Sequence, residues 1–264
     1  MRLALSLEYD GRGFNGWQRQ KDVPSVQAAL ESALEPIAGH EVTVVCAGRT
    51  DTGVHALHQV VHFDTPADRP ERAWVFGTNT YLPRGVAVTG ATVVEEGFHA
   101  RFSAVSRRYH YHLLNHPVRP ALWGGRVSWE CRPLAFERMA EAAARLVGTH
   151  DFTAFRGQGC QARTPVREVR LARLSRRGAL ITLEIEADGF LMHMVRNVVG
   201  VLVDIGLERR EPEWVDELLA PRPRSEAGAT AAAAGLYLAR IGYPPRFRVP
   251  DAGSGAELDA LLRA

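Results

Sequence analysis

Val42-Thr43-Val44-Val45-Cys46-Ala47-Gly48-Arg49-Thr50-Asp51-Thr52-Gly53-Val54-His55-Ala56-Leu57-His58-Gln59-Val60-Val61-His62-Phe63 reads as two strands joined by a tight loop. The first strand, Val42 to Ala47, is rich in β-branched residues, and the second, Leu57 to Phe63, is an apolar run. Between them, Gly48 and Gly53 bracket an Arg-Thr-Asp triplet. Glycine admits backbone conformations closed to other residues and lets a ligand approach closely. A carboxylate two residues from an arginine, carried on a rigid sheet, suits a nucleophile or base that must stay ionised. Asp51 is therefore the first candidate for chemistry.

Outward from this pair, strands are expected at Leu3 to Tyr9 and Val86 to Val94. A helix precedes Val42: Ser25 can cap it, Val26, Leu30, Leu34 and Ile37 share one face, and Gly39 ends it. A shorter helix is expected from about Arg72 to Thr80, which makes the first half β-α-β-β-α-β. The order then repeats. Val105 to Leu114 is an alternating, aromatic-rich strand. Pro133 opens a helix whose Phe136, Met139, Ala143, Leu146 and Val147 share a face, with Gly148 as its stop. Strands follow near Val166 to Leu174 and Leu180 to Ala187, then an apolar helix from Phe190 to about Leu207 and a last strand from Leu236 to Tyr243.

Two β-α-β-β-α-β units are two ferredoxin-like halves, an α+β architecture with a cleft between them as a natural ligand site. The expected divisions are 1–104, 105–247 and a tail, 248–264, in which Ala256 to Leu262 could form a helical turn or two. Pro221-Arg222-Pro223-Arg224 reads as a surface connection.

Composition narrows the class. With 264 residues, 46% hydrophobic and 23% charged, the chain has ample core and the balance of a water-soluble protein. Its N-terminus turns charged too soon for a signal peptide, and no apolar run reaches the roughly 18 residues of a membrane span. Cys46, Cys131 and Cys160 are odd in number and lack CxxC spacing, so reduced thiols in a cytoplasmic setting are expected. The net charge of +2 says little, but its distribution says more. Lys21 is the only lysine among 32 basic residues, and between Arg156 and Arg177 seven arginines face a single acid, Glu168. Such a strip could track phosphates, although a solvated strand face would look the same.

Other chemistries lose their support. His55, His58 and His62 alternate across a strand, with His55 on one side and the other two opposite, and no HExxH helix accompanies them. There is no P-loop, no GxGxxG between strand and helix, and no Gly-x-Ser-x-Gly elbow. Asp10 and Asp151 could pair as a glycosidase acid and base, yet neither has the glycine-flanked setting of Asp51.

Gly48 to Ala56 resembles the catalytic loop of the tRNA pseudouridine synthase A family, and Gln59 to Phe63 continues that motif. Tyr9-Asp10-Gly11-Arg12-Gly13-Phe14-Asn15-Gly16-Trp17-Gln18-Arg19-Gln20 is similar to the family's N-terminal motif. Phe98 to Phe102, Arg107 to Tyr111, His150 to Phe155, Phe190 to Asn197 and Ala233 to Leu238 resemble further blocks in the same order. Met192 is less usual in its block.

The resemblance implies a pseudouridine synthase fold whose halves form one continuous, mixed but largely antiparallel sheet with a central cleft. It implies a cofactor- and metal-independent isomerase that converts uridine to pseudouridine in the tRNA anticodon stem-loop, at uridines 38, 39 and 40. Asp51 would be the nucleophile, Arg196 its ion-pair partner, Tyr109 the ring against the uracil, and Arg49 the side chain that helps extrude the target nucleotide. Arg12, Arg19, Arg107, Arg108 and Arg163 are the candidate RNA contacts, and a homodimer is implied. Tyr9 to Gln20 is either an RNA-contacting loop or a connection packed on Trp17. A non-catalytic RNA-binding protein with two ferredoxin-like modules is the alternative.

Overall fold

The computed structural model describes residues 1–220 and 228–250. The Pro221–Arg224 connection and the tail beyond residue 250, with its expected helical turns, lie outside the described residues. In chain order the elements are β1 (Arg2–Tyr9), α1 (Val26–Ala38), β2 (Val45–Cys46), β3 (His55–Asp64), α2 (Thr78–Tyr81), β4 (Val86–Val94), β5 (Ser106–Asn115), β6 (Ser128–Glu130), α3 (Phe136–Ala144), β7 (Gly148–Asp151), β8 (Val166–Arg177), β9 (Leu180–Ala187), α4 (Met194–Gly206), α5 (Trp214–Leu219) and β10 (Leu236–Gly242). The protein is α+β, its sheet pairings mostly antiparallel. No described helix is long and apolar enough to cross a membrane.

The chain divides into two compact units, Met1–Val105 with the segment from Tyr237, and Ser106–Leu236. In the first unit β1 lies between β4 and β3, antiparallel to both, and β2 adds to β3. Residues Leu3 to Leu7 of β1 are fully buried, as a central strand covered on both faces requires. Burial of each such leucine contributes about 2 kcal/mol. Ser25 Oγ accepts from the Ala28 amide at 3.3 Å, and Gly39 closes α1 in the left-handed region at φ +74°, so both ends match the capping expected from sequence. A π-helical turn, Ala73–Gly77, leads into α2 and buries Trp74 edge-on against Phe63. Strand β10 joins this unit by running parallel to the start of β3, Tyr237 opposite His55.

In the second unit the order is β5-β9-β8-β7, all antiparallel, with β6 parallel to the end of β5. Alternation along β5 puts Tyr109, Tyr111 and Leu113 on one face and Arg108, His110 and His112 on the other. Helices α3 and α4 pack where Gly206 leaves room for Met139; a Cβ there would sit 2.6 Å from its sulfur.

Three expectations need adjustment. Only Val45–Cys46 of the expected Val42–Ala47 strand pairs, because the Val44 amide donates instead to the buried Glu31 carboxylate at 3.0 Å. The helix expected through Val147 ends at Ala144, and Gly148, at φ +126°, opens β7 instead. The helix expected from Phe190 starts at Met194. Before it, His193 takes φ +61° and the Met192 carbonyl accepts from the Gly157 amide at 2.8 Å, which holds residues 190–193 in a turn. The short β6, β7 and α5 have too few residues to show a period.

Candidate active site

Asp51 sits half-buried on a turn in which the Val54 amide donates to the Asp51 carbonyl at 3.1 Å, with Gly53 at φ +78°. The turn is held from behind by the N-terminal motif. Gly16, at φ +84°, lies so close that a Cβ would come within 2.7 Å of the Thr50 carbonyl oxygen and 3.1 Å of the Asp51 carbonyl carbon. A Cβ on Gly11 would sit 2.1 Å from the Val54 oxygen. The Trp17 amide donates to the Thr50 carbonyl at 3.0 Å, and its indole is buried. Gly11, Gly16 and Trp17 make Tyr9 to Gln20 a connection packed against the Asp51 turn. Gly11 and Gly16 are needed because two backbones touch there.

Side chains complete the support. The Tyr9 hydroxyl and Thr50 Oγ1 are 2.8 Å apart, and both residues are buried. Gln59, fully buried on β3, donates to the Gly48 carbonyl at 2.6 Å and to the Tyr9 hydroxyl at 3.4 Å, while its Oε1 accepts from the Gly48 amide. The Gly11 amide donates to His55 Nδ1 at 3.1 Å, and the same nitrogen lies 3.3 Å from the Asp10 carboxylate. The His55 ring stacks on Tyr237 at 4.6 Å. Gln59, Thr50 and Tyr9 are polar groups that sequence reasoning did not single out. A glutamine inside an otherwise apolar strand was the available signal, since a buried amide must find partners.

The three β3 histidines serve backbone groups. His58 Nδ1 accepts from the Ile241 amide at 3.3 Å, and His62 Nδ1 accepts from the Ala100 amide at 3.1 Å. Burial, then the nearby His99 and Arg2, push the His62 imidazole down to about 4. Among the described residues no group of histidine, cysteine, aspartate and glutamate could hold a metal ion.

Within the first unit, Arg49 is exposed beside Asp51. Arg12 grips the Asp10 carboxylate with its Nε and Nη2, at 2.9 and 2.6 Å. Burial pulls the Asp10 carboxyl up, but Arg12 outweighs it and the group lies below its ordinary value. Arg19 pairs with the buried Glu31. A cavity of about 780 Å³ opens at Asp10 and Arg12, lined also by Phe14, Pro24 and Pro83, and Asp51 is not part of it.

Within the second unit, Tyr109 is half-buried and meets Phe190 edge-on at 5.0 Å. Two residues on, Tyr111 is buried and donates to the Ala232 carbonyl at 2.9 Å; burial pushes its phenol up to about 12. Arg196, in the first turn of α4, donates from Nε to the Ala231 carbonyl at 2.8 Å, and its own carbonyl accepts from the Ala231 amide. The adjacent Asn197 is fully buried, donating to the Phe155 carbonyl and accepting from Thr230. Gly200 admits this crossing segment, since a Cβ would lie 1.9 Å from the Ala229 oxygen. The sequence pointed to Arg196 as a cation in an apolar helix; it missed Asn197, which anchors the same turn.

On the other face of β5, Arg108 bonds Glu186 at 2.7 Å and Glu184 at 3.0 Å. The buried Glu184 also takes Arg173, with His110 Nε2 at 3.8 Å. His110, then Arg173 and Arg108, hold the Glu184 carboxyl at about 2. Arg107 donates to the Asp188 carbonyl, and Arg163 is exposed.

Comparison with known proteins adds an independent line. A family model described as tRNA pseudouridine synthase matches residues 6–103 and 142–244. A tRNA pseudouridine synthase A of Thiobacillus denitrificans is 55% identical over 251 residues, covering 95% of this chain and 96% of that protein. The proteins of that name from Pseudomonas aeruginosa and Dechloromonas aromatica are 53% and 51% identical, covering 95% and 100% of this chain and 88% and 100% of their own.

Proposed function

Because the chain belongs to the tRNA pseudouridine synthase family, we propose that it isomerises uridine to pseudouridine in tRNA, in the anticodon stem-loop at positions 38, 39 and 40, with Asp51 as nucleophile. The observation that carries this reading is the packing of Gly16 and Gly11 against the Thr50–Val54 backbone. It holds one half-buried carboxylate on a turn that cannot drift, which is what positioning for attack demands.

The reaction breaks the C1′–N1 bond of uridine, turns the base and forms a C1′–C5 bond, while a proton leaves C5 and one is gained at N1. Atoms and electrons balance within the nucleotide, so no second substrate is needed. Asp51 serves as the ionised group beside the ribose and uracil. Arg196 is proposed as its ion-pair partner, which favours the charged carboxylate. Tyr109 is proposed to lie against the uracil, and Arg49 to occupy the place of the extruded nucleotide, an extrusion that costs on the order of a few kcal/mol. Phosphate contacts are proposed for Arg163, and for Arg12, Arg19, Arg107 and Arg108. The last four would exchange a carboxylate or carbonyl for a phosphate, so each should add less than an uncommitted guanidinium. We also propose a cytoplasmic homodimer.

The test is tritium release from [5-³H]uridine-labelled, undermodified tRNA. Wild type should release label, and Asp51→Ala should release none while still binding tRNA. Tight binding without release by a well-folded wild type would leave only the RNA-binding alternative.

A further inference from the structure

The turn after β4, Phe98-His99-Ala100-Arg101-Phe102-Ser103, belongs to the first unit and faces two ways. Phe98 is fully buried against Tyr243 and Phe247, each at 5.2 Å, and anchors the turn. Phe102 is 76% exposed. A lone exposed apolar side chain is ordinary on a protein surface. What sets Phe102 apart is how firmly it is held.

Every amide from His99 to Ser103 has an acceptor. Those of Arg101 and Phe102 both donate to His99 Nδ1 at 3.2 Å. That of Ala100 donates to His62 Nδ1 at 3.1 Å, that of His99 to Ser103 Oγ at 3.0 Å, and that of Ser103 to the His99 carbonyl at 2.8 Å. The Ala100 carbonyl accepts from the Tyr243 hydroxyl at 2.6 Å. The His99 ring lies against Phe102 at 4.3 Å, tilted by 31°, and the exposed Arg101 guanidinium lies over the Phe102 ring, 5.6 Å from its centroid. This is a firmly held aromatic step with an exposed cation over its ring.

We propose that Phe102 and Arg101 form a stacking platform for an unpaired nucleotide of the RNA substrate, the base on the Phe102 ring and its phosphate at Arg101. The chemistry is that of single-strand recognition, in which an aromatic face takes a base of any kind and an arginine takes the backbone. The exposed Arg101 side chain gives its place over the ring to the base and turns to the phosphate, and its charge favours a polyanion over a second protein surface. Pre-organisation matters here because a ring already locked in place loses little entropy when a base lands on it.

The platform rests on RNA being the substrate, and the experiment separates the two ideas. Affinity for unmodified tRNA transcript is measured by filter binding for wild type, Phe102→Ala, Phe102→Trp and Arg101→Ala, with sedimentation of each. Phe102→Ala should weaken binding roughly 5- to 150-fold, the worth of one base–aromatic stack. KM should rise with kcat little changed, and Phe102→Trp should restore affinity. Arg101→Ala should flatten the salt dependence by roughly 0.7–0.9 in log–log slope. Wild-type binding that Phe102→Ala leaves untouched overturns the platform alone, whereas absence of wild-type binding overturns the proposed substrate as well. A fall in sedimenting mass with tRNA affinity unchanged gives the surface to a second copy of the chain and overturns the platform.

Discussion

Two regions of the molecule bury polar groups in different ways. Behind Asp51, the first unit uses neutral hydroxyls and an amide: Tyr9, Thr50 and Gln59, hydrogen-bonded to one another or to backbone. On the β5–β9–β8 face, the second unit uses charge: Glu184 beneath Arg108, Arg173 and His110, with Glu186 beside them. Neutral bonds hold geometry without imposing a field, and a loop that carries the proposed nucleophile benefits from both properties. An ion cluster is costly to desolvate and costly to break, and it ties stability to pH. The placement of each kind of network therefore bears on what each region does.

The largest effect should come from filling the contact behind Asp51. Gly16→Ala combines left-handed strain with a Cβ 2.7 Å from a carbonyl oxygen. About 2–5 kcal/mol of stability should be lost. Displacement of Asp51 by even about 1 Å should cut tritium release about 100-fold. Gly13→Ala, in the same motif, meets nothing within 4 Å. It should change stability by less than about 0.5 kcal/mol in urea unfolding and leave release intact. Equal effects from the two would mean that the motif acts in some way other than backing the loop.

Much of this was legible in the sequence, and the reasons are physical. Helix α1 announces itself because a capping serine, a four-residue apolar recurrence and a terminal glycine are local signals, and its bounds follow them. Asp51 stood out because glycines on both sides of a charged triplet mark a constrained turn. What lay hidden is long-range. Nothing local says that Gly16 meets Thr50, or that Glu31 on α1 takes the Val44 amide and so shortens a strand. Arginine enrichment was visible, but not that Arg12, Arg19 and Arg108 are engaged by Asp10, Glu31, Glu184 and Glu186, because pairing partners come from elements distant in sequence.

Acid should resolve the two strategies. The Glu184 carboxyl sits at about 2 against an ordinary 4.5, so its stabilisation is complete above about 4.5 and disappears as pH falls toward 2. His62, held neutral and pushed down to about 4 from 6.5, also loses stability on acidification, but in the higher window between 6.5 and 4. Glu184→Gln should cost about 1.5–3 kcal/mol at pH 6, because hydrogen bonds to a charged acceptor are lost. The variant should also show a flatter stability profile below about pH 4.5, while the loss attributed to His62 persists. Urea unfolding across pH measures both. A variant whose low-pH slope matches wild type would remove Glu184 from the account and shift the acid sensitivity elsewhere.

The smallest expected effect sharpens the comparison most. Tyr9→Phe deletes one hydroxyl that Thr50 and Gln59 share, and leaves the buried ring in place. The loss should be about 1 kcal/mol, the net worth of a neutral hydrogen bond. Because no charge is involved, that loss should be the same from pH 3 to 8 and at low and high salt, whereas the loss in Glu184→Gln shrinks below about pH 4.5. Tyr9 meets the Asp51 loop at Thr50, so kcat should fall a few-fold while KM holds. A KM effect of equal size would mean that the hydroxyl contributes to binding RNA as well as to holding the turn.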